Sequence, residues 1–377
     1  MKTVKKKILF ISGTRADFGK LKPLMEKVEM SDEFEAHIFA TGMHMFAHYG
    51  YTVNEIKKSG FKNIFMYINQ NKSNSEMDMA LANTIQGIHL YINEFPPDLI
   101  VVHGDRVEAL AGAISGALNN ILVAHIEGGE VSGTIDEVIR HAVSKLSHLH
   151  FVSNGDACKR LIQMGEKEDT IFTIGSPDID VMLSDELPSL FEAQRKYEFS
   201  FSNYGIFMYH PVTTESHLLK HHIKETVAAL KACGWNFIVI YPNNDPGSDI
   251  IYEAIQELND NPHFQIFPSI RFEYFLTLLK YAKVIIGNSS AGIHEAPVYG
   301  IPTINIGTRQ KDRFSYPSII NVKDDRKAIL QTLNNLPKGV TPSRNLGQGN
   351  SAQMFMEQLY DSKIWAISCQ KQFQDIF

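Results

Sequence analysis

A chain of 377 residues is long for one compact domain and sets two domains as the expectation. Hydrophobic residues make up 44% and charged residues 21%, an ordinary globular composition. The net charge of −6 excludes a nucleic-acid binder working through a broad basic field, so a phosphate-bearing partner must be held by local cations.

The basic N-terminus leads into the apolar run Ile8–Ile11, too short for a signal peptide, which reads as a buried strand with a lysine-rich entry. No stretch reaches the roughly 18 apolar residues of a membrane span. Cys158, Cys233 and Cys369 are far apart and form no CxxC, so neither a disulfide framework nor a zinc site is indicated. The expectation is a cytoplasmic protein with no membrane partner.

Short apolar runs alternate with amphipathic stretches, the pattern of βα repeats around parallel sheets. Strands are predicted at Ile8–Ser12, His37–Ala40, Leu99–His103, Leu122–His125, His150–Ser153 and Ile171–Ile174. A second set follows at Tyr204–Tyr209, Phe237–Tyr241, Phe264–Phe267, Val284–Ile286 and Thr303–Ile306. The polar stretch Asp178–Asn203, with Pro188, separates them. The fold class is therefore α/β, with two Rossmann-like domains facing across a cleft: residues 1–180 with carboxylates, residues 200–355 binding nucleotide. A C-terminal helical segment, 356–377, is expected to pack back on the first domain.

In open α/β sheets, ligands bind beyond the carboxyl ends of the strands. The first strand runs into Gly13-Thr14-Arg15-Ala16-Asp17-Phe18-Gly19-Lys20-Leu21. A glycine turn feeding a helix start offers N–H groups to an anion. It is no Walker A loop, since five residues separate the glycines and Leu21 replaces the Ser/Thr for magnesium. It is not GxGxxG either. Arg15 and Lys20 are candidates for a diphosphate; the plainer alternative is a βα turn with surface cations.

The strand Leu99–His103 ends in Gly104-Asp105-Arg106, where an acid can face a substrate or form a structural ion pair capping the next helix. After the next strand, Glu127 sits beside Gly128 and Gly129, whose flexible backbone can approach a ligand. Thr134 and Glu137 have capping-box spacing, which places Asp136 and Arg140 on one helical face. The loop is rich in carboxylates, suited to acid–base work.

In the second half His210, at a strand mouth beside Pro211, is a candidate for contacting phosphate or moving a proton. His217, His221 and His222 read as a solvated helix face. The segment Gly287-Asn288-Ser289-Ser290-Ala291-Gly292-Ile293-His294-Glu295 is a second anion cradle. It lacks GxSxG, because Ala291 stands at the second glycine, so a hydrolase nucleophile elbow is not indicated. Ser289 and Ser290 can donate to phosphate, Glu295 can accept from ribose hydroxyls, and Arg309 and Arg313 add cations. These residues alone describe a nucleotide-sugar enzyme, and a glycosyltransferase fits them equally well.

The segments GTRADFGKLKP, TGMHM, VHGDR, HIEGGEVSGTIDEVIRH, HPVTT, GNSSAGIHEAP and INIGTRQ, in this order, resemble the UDP-N-acetylglucosamine 2-epimerases. The likeness is to the hydrolysing branch that begins sialic acid biosynthesis. It implies a glycosyltransferase-B type fold with UDP held mainly by the second domain. Arg15, His210, Asn243, Ser289, Ser290, Glu295 and Arg309 would hold UDP, with Lys20, Gly292 and Arg313 nearby. His44, Asp105, Arg106, Glu127, Asp136 and Arg140 would surround the sugar. The implied reaction converts UDP-N-acetylglucosamine to UDP and N-acetylmannosamine through 2-acetamidoglucal, with a carboxylate as base and another carboxylate, or His44, as acid. No cofactor or metal is implied, and a homodimer or tetramer is. Related alternatives are a hydrolysing epimerase of a UDP-2,4-diacetamido-trideoxy sugar and a non-hydrolysing epimerase.

Overall fold

The computed structural model describes residues 4–70, 76–132, 135–242, 245–310 and 316–375. The chain divides into two compact units. One comprises the residues up to Glu130, Asp136–Ser184 and those from Asn345 onward; the other comprises Asp185–Arg344 with the short stretch Val131–Ile135.

The first unit is built on strands β1 (Lys6–Ser12), β2 (Phe34–Ala40), β3 (Asn63–Met66), β4 (Leu99–His103), β5 (Leu122–Ile126), β6 (Leu149–Val152) and β7 (Ile171–Thr173). Its helices are α1 (Arg15–Glu29), α2 (Val53–Lys58), α3 (Met77–Glu94), α4 (Val107–Leu118), α5 (Ile135–Leu146), α6 (Gly155–Gln163) and α7 (Pro177–Met182). The strands pair in parallel in the order β3-β2-β1-β4-β5-β6-β7.

The period of two along β1 explains the layering. Ile8 and Phe10 enter a core with Leu21, Leu24 and Met25 of α1, while Leu9 and Ile11 enter the opposite core with Ala111 and Ala113 of α4. With both faces covered, the strands read as continuous apolar runs.

The second unit repeats the plan. Helix α8 (Leu190–Lys196) precedes β8 (Gly205–Met208), α9 (Leu219–Ala232), β9 (Phe237–Ile240), α10 (Ser248–Gln256) and β10 (Phe264–Phe267). Then come α11 (Phe272–Tyr281), β11 (Ile285–Gly287), α12 (Glu295–Tyr299), β12 (Thr303–Ile306), β13 (Ile319–Val322) and α13 (Arg326–Asn334). The order β10-β9-β8-β11-β12-β13 is the doubly wound order of the first sheet.

The chain finishes with α14 (Ser351–Tyr360) and α15 (Ser362–Trp365) in the first unit. Helix α14 packs on α1 and lays Ala352, Phe355, Met356 and Leu359 into that core. The fully buried Phe355 stacks edge-on to Phe151 at 4.8 Å, burial that contributes about 1.5–3 kcal/mol. Among the described residues no helix is long and apolar enough to cross a membrane.

Candidate active site

Each sheet reverses its winding once, between β1 and β4 in the first and between β8 and β11 in the second. The functional candidates gather beyond these strand ends.

In the first unit Thr14 caps α1, accepting from the Asp17 N–H at 3.1 Å, and the Asp17 carboxylate accepts from the Gly13 N–H at 3.1 Å. Asp17 Oδ1 also lies 2.8 Å from Nδ1 of His103, the last residue of β4. His103 Nε2 is 2.9 Å from Glu127 Oε2. The parallel register pairs His103 with Ile126, which sets the ring beside Glu127 one residue on. Burial opposes charge on this imidazole, but the Glu127 carboxylate, the hydrogen bonds to Asp17 and Glu127 and the Asp17 charge outweigh it. They raise its pKa to about 10.

Glu127 is buried and adopts a left-handed backbone, φ +61°. Its N–H donates to the Phe151 carbonyl at 2.9 Å, its own carbonyl accepts from Arg140 Nη1 at 2.7 Å, and its Oε1 accepts from Ser176. Arg140 also donates to the Asp105 carboxylate and lies 3.8 Å from Glu130. Although burial opposes its charge, Asp105, Glu130, Glu127 and Asp136 together hold this guanidinium more firmly protonated than usual. Asp136, in the first turn of α5, thus acts on Arg140 through its field.

Other predicted residues of this unit have local partners. Arg15 donates to Glu55 at 2.6 Å. Lys20 lies 3.2 Å from Asp178, both buried. Arg106 turns to Glu108, 3.5 Å from Nε, while Asp105 goes to Arg140. His44 is sealed, with Nε2 3.0 Å from Ser12 Oγ and Nδ1 2.7 Å from Thr52 Oγ1. Burial pushes its pKa down to about 4 despite the Asp17 charge, so at neutral pH it has no extra proton to give.

In the second unit the strand ends are clasped by Asn288. Its Oδ1 accepts from the His210 N–H at 2.6 Å and its Nδ2 donates to the His210 carbonyl at 2.9 Å. The Asn288 carbonyl accepts from Arg309 Nη1 at 3.3 Å and Gln310 Nε2 at 3.0 Å. Gly287 has φ +132°, and a Cβ there would stand 1.8 Å from the Met208 carbonyl oxygen, so the crossing admits only glycine. Ser289 caps a single 3₁₀ turn, Ser290–Gly292, its hydroxyl accepting from the Ala291 N–H. Gly292 lies against Thr303, and Glu295 is buried at the start of α12. Serine hydroxyls, Arg309 and the His210 ring at one sheet end suit a phosphorylated ligand. Thr134, Asn243 and Arg313 lie outside the described residues.

Sequence reasoning passed over His103, Asp17, Ser176 and Asn288. The signal for His103 was available: an imidazole ending one strand, beside a strand followed at once by Glu127.

Two doubly wound parallel-sheet domains are the architecture of the glycosyltransferase-B type fold. The sequence profile of the UDP-N-acetylglucosamine 2-epimerase family matches residues 26–360. The chain is 47% identical to UDP-N-acetylglucosamine 2-epimerase of Neisseria meningitidis serogroup B, over 98% of this chain and 99% of that one. It is 36% identical to the UDP-N,N'-diacetylbacillosamine 2-epimerase (hydrolyzing) of Legionella pneumophila, over 92% and 94%. A solved structure of a Neisseria meningitidis UDP-GlcNAc 2-epimerase bound to UDP-GlcNAc shares the fold, with TM-score 0.78 at 20% identity over 94% of this chain and 99% of that one. The chain belongs to the UDP-N-acetylglucosamine 2-epimerase family.

Proposed function

We propose that this chain is a hydrolysing UDP-N-acetylglucosamine 2-epimerase, releasing UDP and N-acetylmannosamine as a cytoplasmic homo-oligomer without a cofactor. The observation that carries this reading is the Asp105–Arg140–Glu127 arrangement beyond β4 and β5, in which Arg140 and Glu127 are buried. It brings carboxylates together in a setting where proton transfer is effective. The 47% identity to the Neisseria enzyme favours this substrate over the diacetamido sugar of the 36% identical Legionella relative.

In this reading a carboxylate among Asp105, Glu127 and Asp136 removes the sugar C2 proton while UDP leaves from C1, giving 2-acetamidoglucal. Water then adds at C1, and a second member of the set delivers a proton to C2 from the other face. His44, neutral and sealed, takes no part as acid. Ser289, Ser290, Arg309 and His210 hold UDP, with Gly292 and Glu295 shaping that cradle; donors placed where charge grows stabilise the departing diphosphate. Arg15 and Arg106 complete the substrate contacts, and Lys20 neutralises Asp178.

The test is chromatography of a reaction containing only protein and UDP-N-acetylglucosamine. Equal amounts of UDP and free N-acetylmannosamine support the reading. Intact nucleotide sugar, or UDP-N-acetylmannosamine as the product, overturns it.

A further inference from the structure

A neutral imidazole carries one N–H and donates to one partner. His103 faces a carboxylate oxygen at each ring nitrogen, Asp17 at 2.8 Å and Glu127 at 2.9 Å. With both acids ionised, both contacts are hydrogen bonds when the ring is an imidazolium that donates from Nδ1 and from Nε2. The Asp17 end is fixed independently, since its second oxygen accepts from the Gly13 N–H. At the Glu127 end the Ser176 hydroxyl takes the other oxygen, and the backbone is pinned through Phe151 and Arg140. One carboxylate is thereby held in a single orientation within a left-handed backbone that glutamate rarely adopts.

We propose that His103, anchored by Asp17, is a positioning residue that keeps the Glu127 carboxylate ionised and aimed for proton transfer at the sugar. The proposal rests on the reading that Glu127 acts on the substrate.

The other charges around this pair have their own counterparts. On α1, Lys20 pairs with Asp178 of α7. On α5, Arg140 pairs with Asp105 from the β4 end and approaches Glu130, with Glu127 and Asp136 in its field. On β5, His125 is neutral: burial pushes its pKa down to about 3, and its Nε2 lies 2.8 Å from the Gly104 carbonyl. Among the described residues His103 is bonded to the Glu127 carboxylate, and the Arg140 charge also acts on it. Removing the imidazolium takes away one of the charges that favour ionisation of this buried glutamate.

The experiment uses the full chain as wild type, His103→Gln, Asp17→Asn and Glu127→Gln. Nitrogen-15 NMR of the wild-type ring at neutral pH is expected to show both nitrogens of His103 protonated, and Glu127→Gln to lower that ring's pKa. In kinetics, His103→Gln is expected to lower kcat by roughly 10²-fold or more, with UDP affinity held, and to move the acidic limb of the kcat profile to higher pH. Asp17→Asn moves the limb the same way by less, in a variant that keeps the ring. A neutral His103 in the wild type overturns the proposal, as does a rate loss with the acidic limb unmoved, the mark of a merely structural role. A wild type without turnover sinks the epimerase reading instead. The ring then judges the pairing on its own, because an unchanged His103 titration in Glu127→Gln overturns it.

Discussion

Asp105 and Arg140, 35 residues apart, are joined carboxylate to guanidinium, while Arg106, the cation next to Asp105 in the chain, turns to Glu108. Arg140 is buried and also serves the Glu127 carbonyl, so it ties the β4 end, the β5 end and α5 together.

Removing one partner of a buried ion pair leaves an uncompensated charge. Arg140→Gln is therefore expected to destabilise the first domain by about 3 kcal/mol, measured by urea unfolding, and to abolish turnover. Asp105→Asn keeps a hydrogen-bonding shape, and Arg140 retains Glu130 nearby, so it is expected to cost less stability than Arg140→Gln while kcat falls roughly 10²–10⁴-fold. A near-normal rate in Asp105→Asn removes this acid from the chemistry.

The Lys20–Asp178 pair separates two roles for Lys20. Lys20→Met alone takes a cation from a fully buried carboxylate and is expected to cost about 3–5 kcal/mol. In Lys20→Met/Asp178→Leu most of that loss returns, and UDP affinity stays within about threefold, a difference below ~0.7 kcal/mol. A large loss of UDP affinity in the double variant assigns Lys20 to the diphosphate.

His44 makes stability depend on pH. Its folded pKa, about 4, lies below the ordinary 6.5, so its contribution is fully present above 6.5 and is lost as pH falls through 4. His125, pushed down to about 3, acts in the same direction. His103, raised to about 10, acts oppositely, with its contribution present below 6.5 and lost as pH rises through 10. Between pH 7 and 4.5 the wild type is expected to lose about 2–3 kcal/mol more than His44→Gln in urea unfolding. Equal losses in the two proteins contradict a neutral, sealed His44.

Gly287→Ala is expected to destabilise the second domain by more than the roughly 1–3 kcal/mol of backbone strain alone, because the added carbon meets the Met208 carbonyl. Calorimetry of the second domain's transition reads the effect. An unshifted transition means that the β8–β11 crossing is looser than described.

The sequence displayed the central strands well because burial on both faces makes them continuous apolar runs. It hid β3 and β13, four-residue edge strands whose half-exposed side chains, Asn63–Met66 and Ile319–Val322, carry little of that signal. The site divided in the same way. Acids at strand ends, such as Asp105 and Glu127, stood out beside glycines. Their partners did not, because His103 to Asp17 spans 86 residues and needs the strand register to be seen. The i, i+4 spacing placed Asp136 and Arg140 on one helical face, but it could not show that the guanidinium turns to Asp105 and the Glu127 carbonyl, where burial makes each bond stronger.

The most direct test of the account is proton NMR of the protein with UDP-N-acetylglucosamine in deuterated water, without added metal or nicotinamide. Free UDP together with N-acetylmannosamine carrying deuterium at C2 is expected. Release of a sugar that keeps its C2 proton, or no release of UDP, contradicts it.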